Sequence, residues 1–303
     1  MGNDPLGHYS ATATRSAGVV IGSYSTSFGM ACLMLGTRQR RHIENIYALV
    51  RVADEVVDGA AAAAGLNAQD VCWHLDHLEQ ETERAMACGY STNMVVHAFA
   101  LTARSTGIDS SLTRPFFESM RTDVLESVHS EQTLAQYIYG SAEVVGLMCL
   151  KVFQAMDKSR TGHEEELVAS ARALGAAFQK VNFLRDLGAD SSDLGRFYFP
   201  GLDPTVFSEV HKQQLLDDIR HDLAVARQGM PHLAPAARRS VRLAHDLFLA
   251  LVNRIAGIPA EKLTSRRVRV PGWQKALIVV AVFTRPLAAQ ENMPTPATEG
   301  LRP

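Results

Sequence analysis

Apolar residues recur three and four positions apart through most of the chain, the spacing that places them on one face of an α-helix. The pattern predicts helices at 42–57, 66–88, 91–106, 115–128, 133–156, 164–187, 207–229, 232–256 and 273–283. Glycine and proline fall between several of these segments, as at Gly59, Gly107 and Pro231, and predict breaks between helices. The alternation typical of β-strands is nearly absent from the sequence. The sequence therefore predicts an all-α protein.

The two ends differ from this helical middle. Residues 1–16 and 287–303 are rich in small and polar residues without apolar periodicity, so we predict flexible tails there. No linker-like segment interrupts residues 17–286, which predicts a single helical domain. The N-terminus lacks the apolar run of a secretion signal, so we expect a cytoplasmic protein. The longest uninterrupted apolar stretch, 276–283, is shorter than the roughly 20 residues needed to cross a bilayer, so we expect no membrane span.

The amino-acid composition argues against some classes of binding partner. The 303 residues are 47% apolar and 20% charged, with a formal net charge of −2. Such a chain can bury a substantial core, and it lacks the strong positive charge that attracts nucleic acid, so we expect no nucleic-acid partner. Cys32, Cys72, Cys88 and Cys149 are far apart and show no metal-binding spacing. We expect them to be buried free thiols in a reducing compartment.

One predicted helix is apolar except for a narrow polar stripe. Tyr47, Arg51, Asp54 and Asp58 follow one another at i, i+4, i+7 and i+11, with apolar residues at most other positions. Two carboxylates one turn apart on a buried helix repel each other and need positive charge nearby. Arg51 provides one positive charge, and magnesium, which shares its oxygen ligands with phosphate groups, would provide more. The alternative from this segment alone is an exposed helix end with Asp58 near its C-cap.

A second helix repeats this inverted pattern. Gln179, Asn182, Asp186 and Asp190 form one stripe on an apolar helix, and Arg185 lies beside it. Two separate Asp-x-x-x-Asp pairs, each accompanied by an arginine, are difficult to explain as solvated surfaces. The two helices together favour an internal site for a diphosphate and its metal ions.

These segments resemble the two aspartate-rich motifs of the squalene/phytoene synthase family. The first resemblance spans residues 47–58, and the second spans 179–190 followed by Gly-Arg-Phe-Tyr-Phe-Pro at 195–200. Shorter likenesses extend the match over about residues 22–283: Ser-Thr-Ser-Phe at 25–28, Tyr-Ile-Tyr-Gly-Ser-Ala at 137–142 and a basic-aromatic element at 267–275.

The resemblance implies an isoprenoid synthase fold, with the two motifs facing each other across a central cavity. It implies two or three Mg²⁺ ions, held with the substrate diphosphate by Asp54, Asp58, Asp186 and Asp190, and no use of NADPH. By position, these four aspartates, Arg51, Arg185 and Tyr137 would be catalytic. The positions that match substrate-binding or cavity residues are Ser27, Phe28, Tyr47, Glu143, Gly175, Phe178, Gln179, Asn182, Arg196 and Tyr198.

Three departures from the family pattern stand out. Ala189 stands where many members have a second acid, and the loop at 191–194 replaces a shorter, commonly basic stretch. Glu143 occupies a position in the cavity helix that is often glycine.

Three functions remain open at this stage. The family's usual reaction is head-to-head condensation of two prenyl diphosphates to a phytoene-like or dehydrosqualene-like product. In a second reading a short prenyl group such as dimethylallyl is attached to an indole- or carbazole-type aromatic acceptor, and Glu143 orients an N–H or accepts the ring proton. The third reading is a non-catalytic helical lipid-binding scaffold. Arg266, Arg267 and Arg269, before Trp273, are compatible with peripheral contact to the inner face of a membrane or with a solvated basic turn.

Overall fold

The computed structural model describes residues 4–125, 130–157, 162–193, 207–263 and 268–284, with the backbone alone at Asp58 and at 188–193. The helices in these ranges are α1 (Pro5–Tyr24), α2 (Ser27–Cys32), α3 (Thr37–Asp58), α4 (Ala60–Ala63), α5 (Ala68–Cys88), α6 (Met94–Thr106), α7 (Ser110–Leu125), α8 (Glu131–Ile138), α9 (Val144–Met156), α10 (Glu164–Asp193), α11 (Glu209–Gln228), α12 (Pro235–Ala256), α13 (Ala260–Leu263) and α14 (Gly272–Thr284). A π-helical turn, Tyr139–Glu143, joins α8 to α9, and a 3₁₀ turn, Met230–His232, lies between α11 and α12. The all-α prediction is confirmed.

Each helix predicted from apolar periodicity falls on a helix of the structure. Their ends follow local chemistry: the Asn67 side chain caps α5 by accepting the Asp70 N–H at 3.0 Å. Gly89 and Gly107 end α5 and α6 with φ of +83° and +75°, the left-handed conformation that glycine adopts without a Cβ clash. The short helices α2, α4 and α13 were not predicted, because each is too short to display a helical period.

The prediction of a flexible tail at residues 1–16 is wrong for its described part, because α1 begins at Pro5. Asp4 caps this helix by accepting the Gly7 N–H at 2.8 Å, and Pro5 occupies its first turn. Ala13 and Ala17 are completely buried, and α1 packs on α3 and α6. Its buried face consists largely of alanine, which gives little hydropathic contrast. The tail predicted at 287–303 lies outside the described residues.

Two groups of helices enclose a cavity. Helices α3, α5, α6, α7 and α9 share one apolar core, in which Phe99, Phe116 and Phe117 are buried. Helices α10, α11 and α12 share a second core around Leu184 and Leu216. Helices α2 and α14 pack against α12. Because α3 belongs to the first group and α10 to the second, the two helices that carry the polar stripes lie on opposite sides of this space.

One helical segment meets the length and hydropathy expected of a membrane span. Within the part of the chain that the structure describes, this segment is Glu131–Met156, which runs through α8, the π turn and α9 and has 26 residues. The expectation that no segment reaches spanning length was therefore too strict. The indication is weak, because long core helices pass the same test, and this segment packs against α3, α7 and α10.

Candidate active site

A cavity of about 1010 Å³ lies between α3, α8, α9, α10 and α12, with α2 and α14 at its margin. Most of the residues singled out from the sequence line it. They are Ser27, Phe28, Tyr47, Arg51, Asp54, Tyr137, Gly175, Phe178, Gln179, Asn182, Arg185 and Asp186. The two polar stripes therefore border one chamber, as the resemblance implies.

On the wall formed by α3, the positively charged Arg51 side chain is held beside the Glu55 carboxylate. The Arg51 guanidinium pairs with Glu55 and lies 4.4 Å from the centre of the Tyr24 ring. Burial acts to lower the pKa of Arg51, but the hydrogen bond to Glu55 and the nearby charges of Glu55 and Asp54 together outweigh it, so the net shift of the pKa is upward. The Arg51 Nε atom is buried and has no hydrogen-bond partner among the described residues. Arg51 thus stays charged and keeps a donor for an anion.

The wall formed by α10 carries the second polar stripe. The Arg185 Nε atom donates a hydrogen bond to Asp186 Oδ1 at 3.0 Å. The Asn182 Oδ1 atom is buried and, within the described ranges, accepts no hydrogen bond, an arrangement that is unfavourable unless a ligand satisfies it. Carboxylate and amide oxygens are the ligands that Mg²⁺ takes. The donor set of Asp54, Asp186 and Asn182 therefore fits magnesium bound together with a diphosphate.

Away from these oxygens, aromatic rings form much of the wall. Phe28 stacks on Tyr47 with ring centres 5.7 Å apart, and Phe178 stacks on Phe248 at 3.6 Å. Tyr137 is 4% exposed. Burial raises the pKa of Tyr47, and Asp54 adds to the shift. This phenol therefore stays neutral near pH 7, and the aromatic part of the wall presents π faces to the chamber.

The wall helices approach one another closely at glycines. A Cβ atom at Gly175 of α10 would lie 2.4 Å from the Ala142 carbonyl oxygen, and one at Gly146 would lie 2.3 Å from the Ala171 oxygen. Gly140, in the π turn, is equally close to the Pro115 carbonyl. Gly175 therefore sets the distance between α10 and the π turn, in addition to bordering the cavity.

Glu143 does not line the cavity, which corrects the position expected for it. Its Oε2 atom accepts a hydrogen bond from Arg172 Nε at 2.6 Å, and Arg172 is half exposed. The physical reason is the π turn: Glu143 is its last residue, and an arginine on the adjacent α10 is within reach. The carboxylate proposed to handle an acceptor's proton is thus engaged elsewhere.

Some predicted residues lie outside what the structure describes, and some lining residues were missed. The side chains of Asp58 and Asp190, together with Leu194, Arg196 and Tyr198, are outside the described residues. The loop expected at 191–194 is corrected for its described part, because the backbone of residues 191–193 continues α10. The missed lining residues include Tyr24, Asp123 and Phe248. Asp123 is 5% exposed, but its helix also carries Glu118 and Arg121, so no narrow polar stripe marks it in the sequence.

The cysteines were predicted to be buried free thiols, and the structure corrects this in part. All four are free, but Cys88 is exposed and Cys72 and Cys149 are partly exposed. Cys32 and Cys149 line the cavity. Desolvation raises the pKa of Cys149 to about 12 and raises that of Cys32 as well. These two thiols are therefore packing groups and poor nucleophiles.

Comparison with known proteins supports this architecture. The squalene/phytoene synthase family model matches residues 21–274. Phytoene synthase 1 of Arabidopsis thaliana is 33% identical over 266 residues, 82% of this chain and 61% of that protein. Phytoene synthase 1 of Solanum lycopersicum is 28% identical, and the chain spans 62% of its length. A dehydrosqualene synthase solved in complex with a ligand superposes with a TM-score of 0.73 at 20% identity, covering 92% of this chain and 98% of that one.

Proposed function

Because the chain belongs to the squalene/phytoene synthase family, we propose that it is a magnesium-dependent prenyltransferase that condenses two prenyl diphosphates head to head. The observation that carries the proposal is a single cavity bordered by both aspartate stripes, by two arginines and by stacked aromatic rings. One end of such a chamber suits an anionic diphosphate, and the rest suits an isoprenoid chain.

Several residues of the cavity wall each assist the ionisation of the allylic diphosphate. Arg51, whose buried Nε is available, and Arg185 stabilise the charge that develops on the departing diphosphate. Magnesium, when bound, supplies Lewis-acid neutralisation of the same oxygens. The apolar walls exclude water from the allylic cation, and the faces of Phe178 and Phe248 offer it a favourable quadrupole. No reductant enters this scheme, so no NADPH is expected.

The one residue-specific argument for prenyl transfer to an aromatic acceptor no longer holds. That reading assigned proton handling to Glu143, which pairs with Arg172 outside the cavity. Prenyl transfer to an aromatic acceptor is therefore kept as an alternative outcome of the product assay.

The site assignment is tested by removing one carboxylate from each wall. Asp54→Ala and Asp186→Ala are expected to lower diphosphate release by at least about 100-fold, with far-UV circular dichroism unchanged. Asp217→Asn is the control, because Asp217 is an exposed residue of α11 that does not line the cavity. Wild-type turnover in either alanine variant would contradict the proposal.

The reaction is tested by product analysis. Purified protein with Mg²⁺ is supplied in turn with dimethylallyl, farnesyl or geranylgeranyl diphosphate, with and without an indole or carbazole acceptor, and without NADPH. The expected result is a head-to-head hydrocarbon from one of the longer diphosphates, independent of the acceptor. Prenylated acceptor would favour the aromatic reading, and no diphosphate release from any substrate would favour the lipid-binding scaffold.

We also propose peripheral contact with an anionic membrane through α14. Trp273, Leu277, Val280 and Phe283 are each more than half exposed and follow one another along one side of the helix. Arg269, which is exposed beside it, borders the cavity. Flotation with phosphatidylserine-containing vesicles tests this contact. Leu277→Glu should reduce the bound fraction severalfold, whereas Gln274→Glu should not, and equal binding of both variants would refute it.

A further inference from the structure

A group of metal-binding side chains lies outside the cavity, where α10 begins. His163 immediately precedes α10, Glu166 lies in its first turn, and His232 ends the 3₁₀ turn between α11 and α12. The Glu166 Oε2 atom is 2.9 Å from His232 Nε2 and 3.5 Å from His163 Nδ1. One ligand atom from each residue lies within 4.8 Å of the other two. Three potential ligands from two separate segments therefore converge on one point.

The geometry within this group is compatible with a small cation. Zinc binds imidazole nitrogen at about 2.0–2.1 Å and carboxylate oxygen at about 2.0–2.2 Å in a tetrahedral arrangement, which places adjacent ligand atoms about 3.4 Å apart. The two measured separations of 2.9 and 3.5 Å lie on either side of this value. Because the two imidazole rings are stacked with planes inclined by 15°, the half-exposed His163 ring would turn out of the stack to direct its lone pair at an ion held by Glu166 and His232.

The group is harder to explain as an ordinary ion pair. The imidazole rings of His163 and His232 stack with centres 3.6 Å apart and planes inclined by 15°, and both direct a ring nitrogen at the same carboxylate oxygen. The 3.5 Å contact is longer than a normal N–H···O hydrogen bond. One histidine completes the ion pair at 2.9 Å, and ring stacking keeps a nitrogen of the second within 3.5 Å of the same carboxylate oxygen.

The donor set selects a class of metal different from that of the cavity. Two imidazole nitrogens and one carboxylate oxygen suit Zn²⁺ and similar transition metals, whereas Mg²⁺ takes oxygen ligands. Glu166 and Asp186 are both on α10, 20 residues apart, which corresponds to about 30 Å along a helix. An ion at Glu166 therefore cannot touch a diphosphate at Asp186.

The surrounding packing shows what such an ion would join. The Gly229 N–H donates to Ser170 Oγ at 2.8 Å, and a Cβ at Gly229 would lie 2.5 Å from that oxygen and 3.2 Å from the Glu166 carbonyl. The connection after α11 thus lies tightly against the first turns of α10. Ser170, Gly229 and Met230 also border the cavity. The metal-binding group therefore lies directly behind the cavity wall at this end.

We propose that His163, Glu166 and His232 bind a zinc-class divalent cation that fastens the start of α10 to the connection between α11 and α12, at the end of the cavity remote from Asp186. With three protein ligands, the fourth coordination position is left to water. Because about 30 Å along α10 separate Glu166 from Asp186, the ion takes no part in the prenyl chemistry, and its role is to stabilise the cavity wall. The proposal does not depend on the reaction assigned above.

The test is zinc binding by the full-length protein after chelator treatment, measured by isothermal titration in excess Mg²⁺ to occupy the oxygen site. We expect one Zn²⁺ per chain and a rise in Tm on binding. His232→Ala, and separately His163→Gln and Glu166→Gln, should each weaken binding at least about tenfold. His163 and Glu166 are about half exposed, so these variants should fold, as circular dichroism can verify.

The matched controls are Glu165→Gln and His221→Ala, exposed residues of the same types outside the group, which should bind zinc as the wild type does. Binding that persists in Asp186→Ala and fails in His232→Ala would support the site. Absence of stoichiometric zinc binding would overturn the proposal. So would binding that survives in His232→Ala and is lost in Asp186→Ala.

Discussion

The Arg172 Nε atom donates a hydrogen bond to Glu143 Oε2 at 2.6 Å, joining α10 to the end of the π turn. The same guanidinium lies 5.3 Å from the centre of the Tyr139 ring. Because the Arg172 side chain is 49% exposed, solvent screens this pair, and exposed pairs contribute at most about 1 kcal/mol. The pair therefore positions two helices weakly and leaves Glu143 unavailable to a substrate.

Replacing Glu143 should therefore have little effect on turnover. For Glu143→Gln we expect kcat within about twofold of wild type and a Tm lower by no more than about 3 °C. Steady-state diphosphate release and thermal unfolding are the measurements. Arg172→Gln, which removes the other partner, should behave in the same way. A tenfold fall in kcat for Glu143→Gln alone would mean that the carboxylate reaches the substrate.

Adding one methyl group at Gly175 should destabilise the fold. The new Cβ would lie 2.4 Å from the Ala142 carbonyl oxygen and 3.0 Å from the Glu143 Cα, so backbone would have to move. We expect Gly175→Ala to lower the free energy of unfolding by about 1–3 kcal/mol in urea titrations. Gly22→Ala in α1, where no atom lies within 4 Å, is the control and should be neutral or slightly stabilising. Equal stability of both variants would contradict the close approach.

The thiols should differ sharply in reactivity. Cys88 is exposed, whereas burial raises the pKa of Cys149 to about 12, and only a thiolate attacks a disulfide reagent. With Ellman's reagent at pH 8 we expect a fast phase that disappears in Cys88→Ser and remains in Cys149→Ser. A fast phase that is unchanged in Cys88→Ser would show that another thiol is the accessible one.

Acid should weaken the attachment of α1. The His97 side chain is completely buried, its Nε2 atom is 2.9 Å from Ser10 Oγ, and the Tyr9 and Tyr90 rings pack around it. Burial lowers the pKa of His97, so the unfolded chain, with a pKa near 6.5, binds the proton more tightly. The contribution of neutral His97 to the free energy of unfolding is fully present above about pH 6.5. It is lost as the pH falls through the pKa of His97 in the folded state.

This effect is measured by urea unfolding at pH 7.5 and 5.5. Burial lowers the pKa of His42 too, so the comparison that isolates His97 is the pH-induced loss in wild type against that in His97→Gln. We expect a smaller loss in the variant. An equal loss in both proteins would mean that His97 takes no part in the acid sensitivity.

The helices and the two polar stripes could be read from the sequence because both depend on local spacing. Asp54 and Asp186 stood out as carboxylates on otherwise apolar helices, and a buried charge needs a compensating partner wherever the chain folds. Helix α1 could not be read in this way. Its buried positions are alanines such as Ala13 and Ala17, whose burial depends on how closely α3 and α6 approach, which is a tertiary property.

The position of Glu143 was unpredictable for a related reason. Glu143 was expected in the cavity because it matches a position of the family's cavity helix, and the structure widens that helix to a π turn over Tyr139–Glu143. The tight contacts of Gly140 and Gly146 with neighbouring backbone accompany this widening. No local pattern in the sequence announces those contacts, because their partners are on α7 and α10.

The π turn also governs which residues further along the chain face the chamber. Tyr137, Ser141, Val145, Cys149 and Phe153 all border the cavity at intervals of four, although a regular helix would rotate such a series by about 160° over 16 residues. The wider turn absorbs much of that rotation. Deleting a single amino acid from Tyr139–Glu143 would rotate every later position on α9 by about 100° around the helix axis. On this side of the cavity, residues that now form the core would then replace the present lining residues.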